Sequence, residues 1–187
     1  MTAPTTHPLV LIDGSSWLFR AFHALPPLSN SRGEPTGAVY GMANMLKRLQ
    51  REYQPQRICV VFDPKGPTFR NAMYAEYKAN RTETPPDLSA QFDDVCALIK
   101  AMGLPILTVD GVEADDVIGT LVLQGKAQQL PVLIVSSDKD MAQLVDEQVH
   151  MLDTMKNVRI DRAGVIDKFG VPPERVVDYL REHRLID

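Results

Sequence analysis

Between Asp110 and Asp116 the chain gathers Asp110, Glu113, Asp115 and Asp116, four carboxylates within seven residues. Apolar residues bracket them, with Ile106, Leu107 and Val109 before and Val117, Ile118, Leu121 and Val122 after. At about 4 Å and an effective dielectric of about 20, each pair of like charges repels by about 4 kcal/mol. Solvent, a cationic side chain or a metal ion must offset that cost where the core begins.

Other acids recur in the same context. Asp13 follows the apolar run "LVLI", Asp63 follows "ICVVF", the acidic cluster follows "PILTV", and Asp138 and Asp140 follow "PVLIV" within "SSDKD". Taken singly, each has a plain structural use: Asp13 as a turn cap, Asp63 before Pro64 as a turn residue, Glu113 or Asp115 at a helix N-terminus. Taken together, so many acids behind four apolar runs point to hard divalent cations, which take oxygen ligands. His7, His23, His150 and His183 are scattered, and no His or Cys joins the acids at ligand spacing. Magnesium or manganese is therefore expected rather than zinc.

The elements that must position these acids can be read from the pattern around them. The four runs do not alternate, which suits strands buried on both faces of a parallel sheet. Helical periodicity separates them: "SSWLFRAFHAL" with serine caps, "TGAVYGMANMLKRLQREY", "PDLSAQFDDVCALIKAM" as one helix from Pro86, and "EADDVIGTLVLQGKAQQ". Strand then helix, repeated, predicts an α/β doubly wound, mostly parallel sheet flanked by helices. In such a sheet the carboxyl ends of the strands share one rim, where ligands bind. Beyond Ser137 the pattern predicts a short helix at "KDMAQLV", a hairpin turning near Lys156 and Asn157, and two short helices in "DRAGVIDKFG" and "PPERVVDYLREH".

Composition sets the frame. With 187 residues, 44% hydrophobic and 24% charged, the chain has the makeup of a single globular domain. No apolar run reaches membrane-span length and the N-terminus lacks a signal-peptide pattern, so a cytoplasmic protein without membrane contact is expected. Cys59 and Cys96 lie in apolar segments and read as small buried hydrophobes. The net charge is -4, yet Lys65, Arg70, Lys78 and Arg81 face only Glu76 between residues 65 and 81, a local +3. Phe69, Tyr74 and Tyr77 are interleaved there, a combination that suits a single nucleic-acid strand. Residues 63–86 also form the longest connection, bounded by prolines, as functional loops are. Walker, dinucleotide-binding and G-x-S-x-G patterns are absent, since "GTLVLQGKA" has the wrong spacing and ends in Ala127. A phosphatase with Asp13 as nucleophile would want a second acid where Ser15 stands.

With these residues in place, the chain resembles the flap endonuclease and 5′-3′ exonuclease family, as found in the 5′-nuclease domain of bacterial DNA polymerase I. The matching segments are "LVLIDGSSWLFRAFHALPPLSNSRGEPTGAVYGM", "VVFDPKGPTFRNAMYAEYKANR", "GVEADDVIGTL", "SSDKDMAQLV" and "KFGVPPERVVDYL". The resemblance implies a PIN-like nuclease core with a helical arch over residues 64–86. It implies that Asp13, Asp63, Glu113, Asp115 and Asp116 hold a catalytic metal directly or through water, with Asp138 and Asp140 at a second metal position. Arg20, Tyr77, Lys78 and Arg81 fall on positions that receive single-stranded 5′ ends. Lys78 and Arg81 match clamps on the scissile phosphate, and Asp116 is grouped with them as catalytic. Lys65 and Arg70 join the DNA-binding set through the charge argument. The implied reaction is two-metal hydrolysis of a DNA phosphodiester, with Mg2+ or Mn2+ as cofactor and DNA with 5′ single-stranded ends or flaps as partner.

After "VVDYL" the family continues with a Gly-Asp-x-x-Asp-Asn segment and a duplex-binding helix-hairpin-helix, whereas this sequence reads "REHRLID". A weakened second metal site, reduced turnover and a monomeric chain are the expectations. Three readings stay open: a metal-dependent 5′ nuclease, a non-catalytic single-strand or flap-binding module, and a phosphohydrolase of a small substrate. The basic aromatic segment disfavours the last.

Overall fold

The computed structural model describes residues 7–74, 76–78, 83–154 and 156–183. Six strands form one sheet in the order β3-β2-β1-β4-β5-β6. They are β1 (Leu9–Asp13), β2 (Arg57–Val61), β3 (Ile106–Leu107), β4 (Val132–Val135), β5 (Val149–Asp153) and β6 (Val158–Ile160). All neighbours are parallel except β5 and β6, which make the expected hairpin. The α/β doubly wound reading is therefore correct, with an antiparallel edge.

The unbroken apolar runs have the predicted cause. Val10, Ile12, Val60, Phe62, Leu133 and Val135 point into one core, beneath α1 (Gly14–His23), α2 (Gly37–Tyr53) and α5 (Phe92–Ala101). Leu11, Val61, Val132 and Ile134 point into the other, beneath α6 (Ala114–Ala127), α7 (Arg162–Phe169) and α8 (Val176–Glu182). Both faces are covered, so neither set of alternate residues can be polar. Register then aligns the strand ends: Asp13 pairs with Val61 and Ile12 with Val135. Gly14 lets α1 begin directly behind β1, because a Cβ there would meet Phe62 Cζ and Val60 Cγ1 at 2.8 Å.

Three expectations need correction. The cap of α1 is Asp13, whose Oδ1 accepts from Ser16 N at 2.9 Å, rather than a serine. The strand expected over 105–109 shrinks to Ile106–Leu107, and Val109 is exposed. The short helix expected at "KDMAQLV" is present, as a 3-10 helix over Lys139–Leu144. The helix expected from Pro86 to Met102 is two pieces, α4 (Pro86–Ser89) and α5. The break serves the neighbouring helix. Thr36 gives α2 no side-chain cap, and the buried Gln91 supplies it from the break. Its Oε1 accepts from Ala38 N at 2.8 Å while its Nε2 donates to Asp87 O at 2.8 Å. Of the connection from 64 to 86, the described part holds one short helix, α3 (Phe69–Met73), tied down where Phe69 N donates to Gly111 O at 2.9 Å. Arg81 lies outside the described residues.

Replacing Gln91 by leucine keeps its bulk and strands the buried N–H of Ala38. A loss of about 1–3 kcal/mol is expected, read as a lower urea midpoint at unchanged slope. An unchanged midpoint would show that the cap carries no stability.

Candidate active site

The site is built where β1, β2, β4 and the start of α6 meet. Asp13 is buried at the end of β1, its Oδ1 held by Ser16 N and its Oδ2 accepting from Ser136 Oγ at 2.7 Å. Asp63 follows β2; its N–H donates to Ser15 Oγ at 3.0 Å, and its Oδ1 accepts from Ala114 N at 2.8 Å. That amide is the first of α6, so a carboxylate from one strand end caps the helix carrying the acidic cluster. Asp138 Oδ1 accepts from Asp140 N at 2.9 Å and opens the 3-10 helix after β4. Backbone amides thus fix the acids by the interaction that caps helices, and the capping and chemical uses of Asp13 coexist.

Asp13, Asp63, Asp115 and Asp138 line one open cleft of about 480 Å³, with Arg20 and Lys78 on its wall. Burial, and after it crowding, raises two of them. Burial, with added repulsion from Asp63 and Asp138, pushes Asp13 up to about 6. Burial, with the charges of Asp13, Asp138 and Asp63, pushes Asp115 up to about 7. Carboxylates raised in this way accept protons readily, or a cation in their place.

The other acids face a second cleft of about 600 Å³, and Asp115 lies in the wall of both. Glu113 is buried and surrounded: Lys78 Nζ reaches its Oε1 at 2.7 Å, Tyr77 Oη donates to its Oε2 at 3.1 Å, and Arg70 lies 3.3 Å away. Arg70 also holds Asp116 through two parallel bonds of 2.5 and 2.7 Å. The guanidinium keeps the Asp116 carboxyl below the usual carboxylate range. Burial pushes the Tyr77 hydroxyl up. Asp140 lines this second cleft.

The structure therefore brings Asp13, Asp63, Glu113, Asp115, Asp116, Asp138 and Asp140 to one rim in two adjoining clefts. It brings Arg20, Arg70, Tyr77 and Lys78 to the same rim. Lys65 turns aside, over the Phe92 ring at 5.2 Å and toward Asp93 at 3.6 Å. Asp110 stays exposed in the turn before α6. Sequence reasoning missed Ser15 and Ser136, the hydroxyls that hold Asp63 and Asp13. Their position beside the acids in "DGSS" and "SSDKD" was the available signal. Among the described residues, no group of three or more acidic, imidazole or thiol side chains is arranged to hold a metal ion as it stands. The donor set still fits a hard cation, because it is made of carboxylates, two of them destabilised in their charged form.

With this geometry established, comparison places the chain among known proteins. It is 56% identical over 173 residues to DNA polymerase I of Pseudomonas aeruginosa, covering 92% of this chain and 19% of that protein. It is 42% identical over 172 residues to a 5′-3′ exonuclease of Aquifex aeolicus, covering 92% of this chain and 60% of that protein. The chain thus spans less than two thirds of either relative. The T5 5′-exonuclease with divalent metal ions (zinc) bound has the same fold, with a TM-score of 0.69 at 22% identity over 90% of this chain and 64% of that one. The catalytic core of Rad2 in complex with DNA substrate superposes at a TM-score of 0.54, with 17% identity over 91% of this chain and 52% of that one. The family described as 5′-3′ exonuclease, N-terminal resolvase-like domain, matches residues 8–170, and the chain belongs to that family.

Proposed function

We propose that the chain is the metal-binding core of a 5′-3′ exonuclease and flap endonuclease acting on DNA with 5′ single-stranded ends. The observation that carries this reading is the single cleft shared by Asp13, Asp63, Asp115 and Asp138, walled by Lys78 and Arg20. Carboxylates alone suit a cation, and cations beside them suit a phosphodiester. Both features at one rim suit hydrolysis of a nucleic-acid backbone. Family membership and the T5 and Rad2 likenesses support it.

Magnesium or manganese is the proposed cofactor, held by Asp13, Asp63, Asp115 and Asp138 with Glu113, Asp116 and Asp140 beside them. A bound cation of this class supplies Lewis acidity and an ionised water for in-line attack on phosphorus. The chain's own residues do the rest. Ser16 N and Ser136 Oγ orient the Asp13 carboxylate, and Ala114 N orients Asp63. Lys78 and Arg81 are proposed to neutralise the phosphoryl oxygens, and Tyr77 to stack on a displaced base. Arg20, Lys65 and Arg70 extend the phosphate track. To reach DNA, Lys78 and Tyr77 must leave Glu113, and Arg70 must leave Asp116. Residues 64–86 are proposed as the arch around the strand, and the protein as a cytoplasmic monomer.

Cleavage of a labelled 5′ flap with added manganese tests the reading. Asp13→Asn and Asp115→Asn are expected to lower the rate by at least about 100-fold, and Lys78→Ala to lower kcat more than it weakens DNA binding. A chain that binds the flap yet cleaves no faster than Asp116→Ala would instead be a flap-binding module.

The crowded acids also predict a pH dependence. Asp13 near 6 and Asp115 near 7 both lie above the 3.8 of an unfolded chain, so the folded form holds extra protons between these values. The stability they lend is complete below about 4 and is lost as pH rises through 6 and 7. In chelator, the Tm should fall from pH 5 to pH 8, and Asp115→Asn should flatten that fall. Magnesium should raise the Tm at pH 8 and leave it nearly unchanged at pH 5. A flat profile in chelator would mean that burial and neighbouring charge do not raise these two carboxyls.

A further inference from the structure

Glu113 and Asp116 differ from Asp13, Asp63 and Asp138 in how they are held. Both oxygens of Asp116 accept from the Arg70 guanidinium, at 2.5 and 2.7 Å. Glu113 is buried, its Oε1 taken by Lys78 Nζ at 2.7 Å and its Oε2 by the Tyr77 hydroxyl at 3.1 Å, with Arg70 at 3.3 Å. Backbone amides and a serine hydroxyl hold the other three and leave their charge in place. We propose that Arg70, Tyr77 and Lys78 form a latch on the second cleft, which a divalent cation opens by taking Glu113 and Asp116 from them. This latch rests on the metal-binding reading above and adds an order of events: the cation comes first, and it frees the basic segment for phosphate.

Latch and ion exclude one another. A carboxylate that spends its lone pairs on Arg70 or Lys78 has fewer left for a hard cation, and the side-chain charges repel that cation from the same oxygens. Charge balances in the exchange. Arg70 and Lys78 take two unit charges away from Glu113 and Asp116, and a divalent ion brings two back, so the buried Glu113 is never left unpaired. Glu113 and Asp116 line the same cleft of about 600 Å³ as Asp115 and Asp140, so further oxygen donors stand beside the pair. The latch residues are also built to leave together, since Arg70 lies on α3 and Tyr77 and Lys78 follow on the same segment. The guanidinium lies over the Phe69 and Tyr77 rings at 4.7 and 6.0 Å, and the ammonium over the Tyr77 ring at 5.0 Å, which joins them in one cluster. Lys78 has a φ of +58°, a left-handed backbone that a residue with a side chain adopts at a cost, so its release relieves the turn. Coupling of this kind is reciprocal: closing the latch weakens the cation as much as the cation weakens the latch.

The whole chain is tested without DNA. Magnesium is titrated by calorimetry into the parent, Arg70→Gln, Lys78→Gln and Lys65→Gln. The last removes an equal charge from the same segment, at a side chain turned toward Phe92 and Asp93. Arg70→Gln and Lys78→Gln are expected to bind magnesium about tenfold tighter than the parent, and Lys65→Gln to stay within about twofold of it. In the parent, amide hydrogen exchange over residues 69–78 should quicken as magnesium is added, because the bonds from Tyr74 N to Arg70 O and from Tyr77 N to Tyr74 O lie in the released segment. Unchanged or weaker binding in Arg70→Gln overturns the latch, and weaker binding makes Arg70 a positioning group for Asp116. Equal gains in all three variants overturn it too, as a general effect of charge. So does exchange in the parent that stays level or slows with magnesium, a measurement that needs no substitution. If no chain binds magnesium, the metal reading falls together with the latch; if the parent binds it and only these responses are missing, the latch alone falls. A chain that binds the ion but cuts no flap leaves the latch standing.

Discussion

Repulsion among carboxylates is the constraint around which the rim of this sheet is arranged. At about 4 kcal/mol per close pair, several acids cannot simply be set side by side at the end of a hydrophobic core. The structure offsets the cost in three ways. Asp13 and Asp115 are pushed toward their neutral forms. Asp13, Asp63 and Asp138 accept hydrogen bonds from backbone amides at the starts of helices. Glu113 and Asp116 take cationic partners, Lys78 and Arg70, from the segment after β2.

These devices have different consequences for function. Amide bonds keep a carboxylate oriented without consuming its charge, and they remain when a cation arrives. Ion pairs with Lys78 and Arg70 do consume charge, and under the proposed function they must open before DNA is held. One basic segment would then serve the acids in the free protein and the phosphates in the complex. The Arg70–Asp116 pair is partly exposed, at 30% and 28% side-chain exposure, so opening it costs little, whereas Glu113 is buried and its pair with Lys78 is the more costly one to open.

The helical layer is tuned to the same end. Gly14 removes the Cβ that would strike Phe62 and Val60, and this close fit lets Asp13 be both the last residue of β1 and the cap of α1. Gln91 shows the same economy away from the site, breaking one helix so that its amide can cap another. In both places a local irregularity supplies a hydrogen bond that regular structure could not.

What the sequence determined by itself was the class of fold and the rim. Unbroken apolar runs mean strands buried on both faces, and an acid after each run must lie at a carboxyl end; both follow from chain geometry and need no knowledge of packing. The basic character of residues 65–81 was equally legible. Tertiary structure decided which partner each charged group takes. That Arg70 grips Asp116 across 46 residues, that Ser136 reaches Asp13 across 123, and that Gln91 caps a helix 53 residues earlier depends on distances set by sheet order and register. The buried Trp17 belongs to the same class: an aromatic at a helical core position is expected from periodicity, but that its Nε1–H meets no partner among the described residues is decided only once α1 is packed against its neighbours.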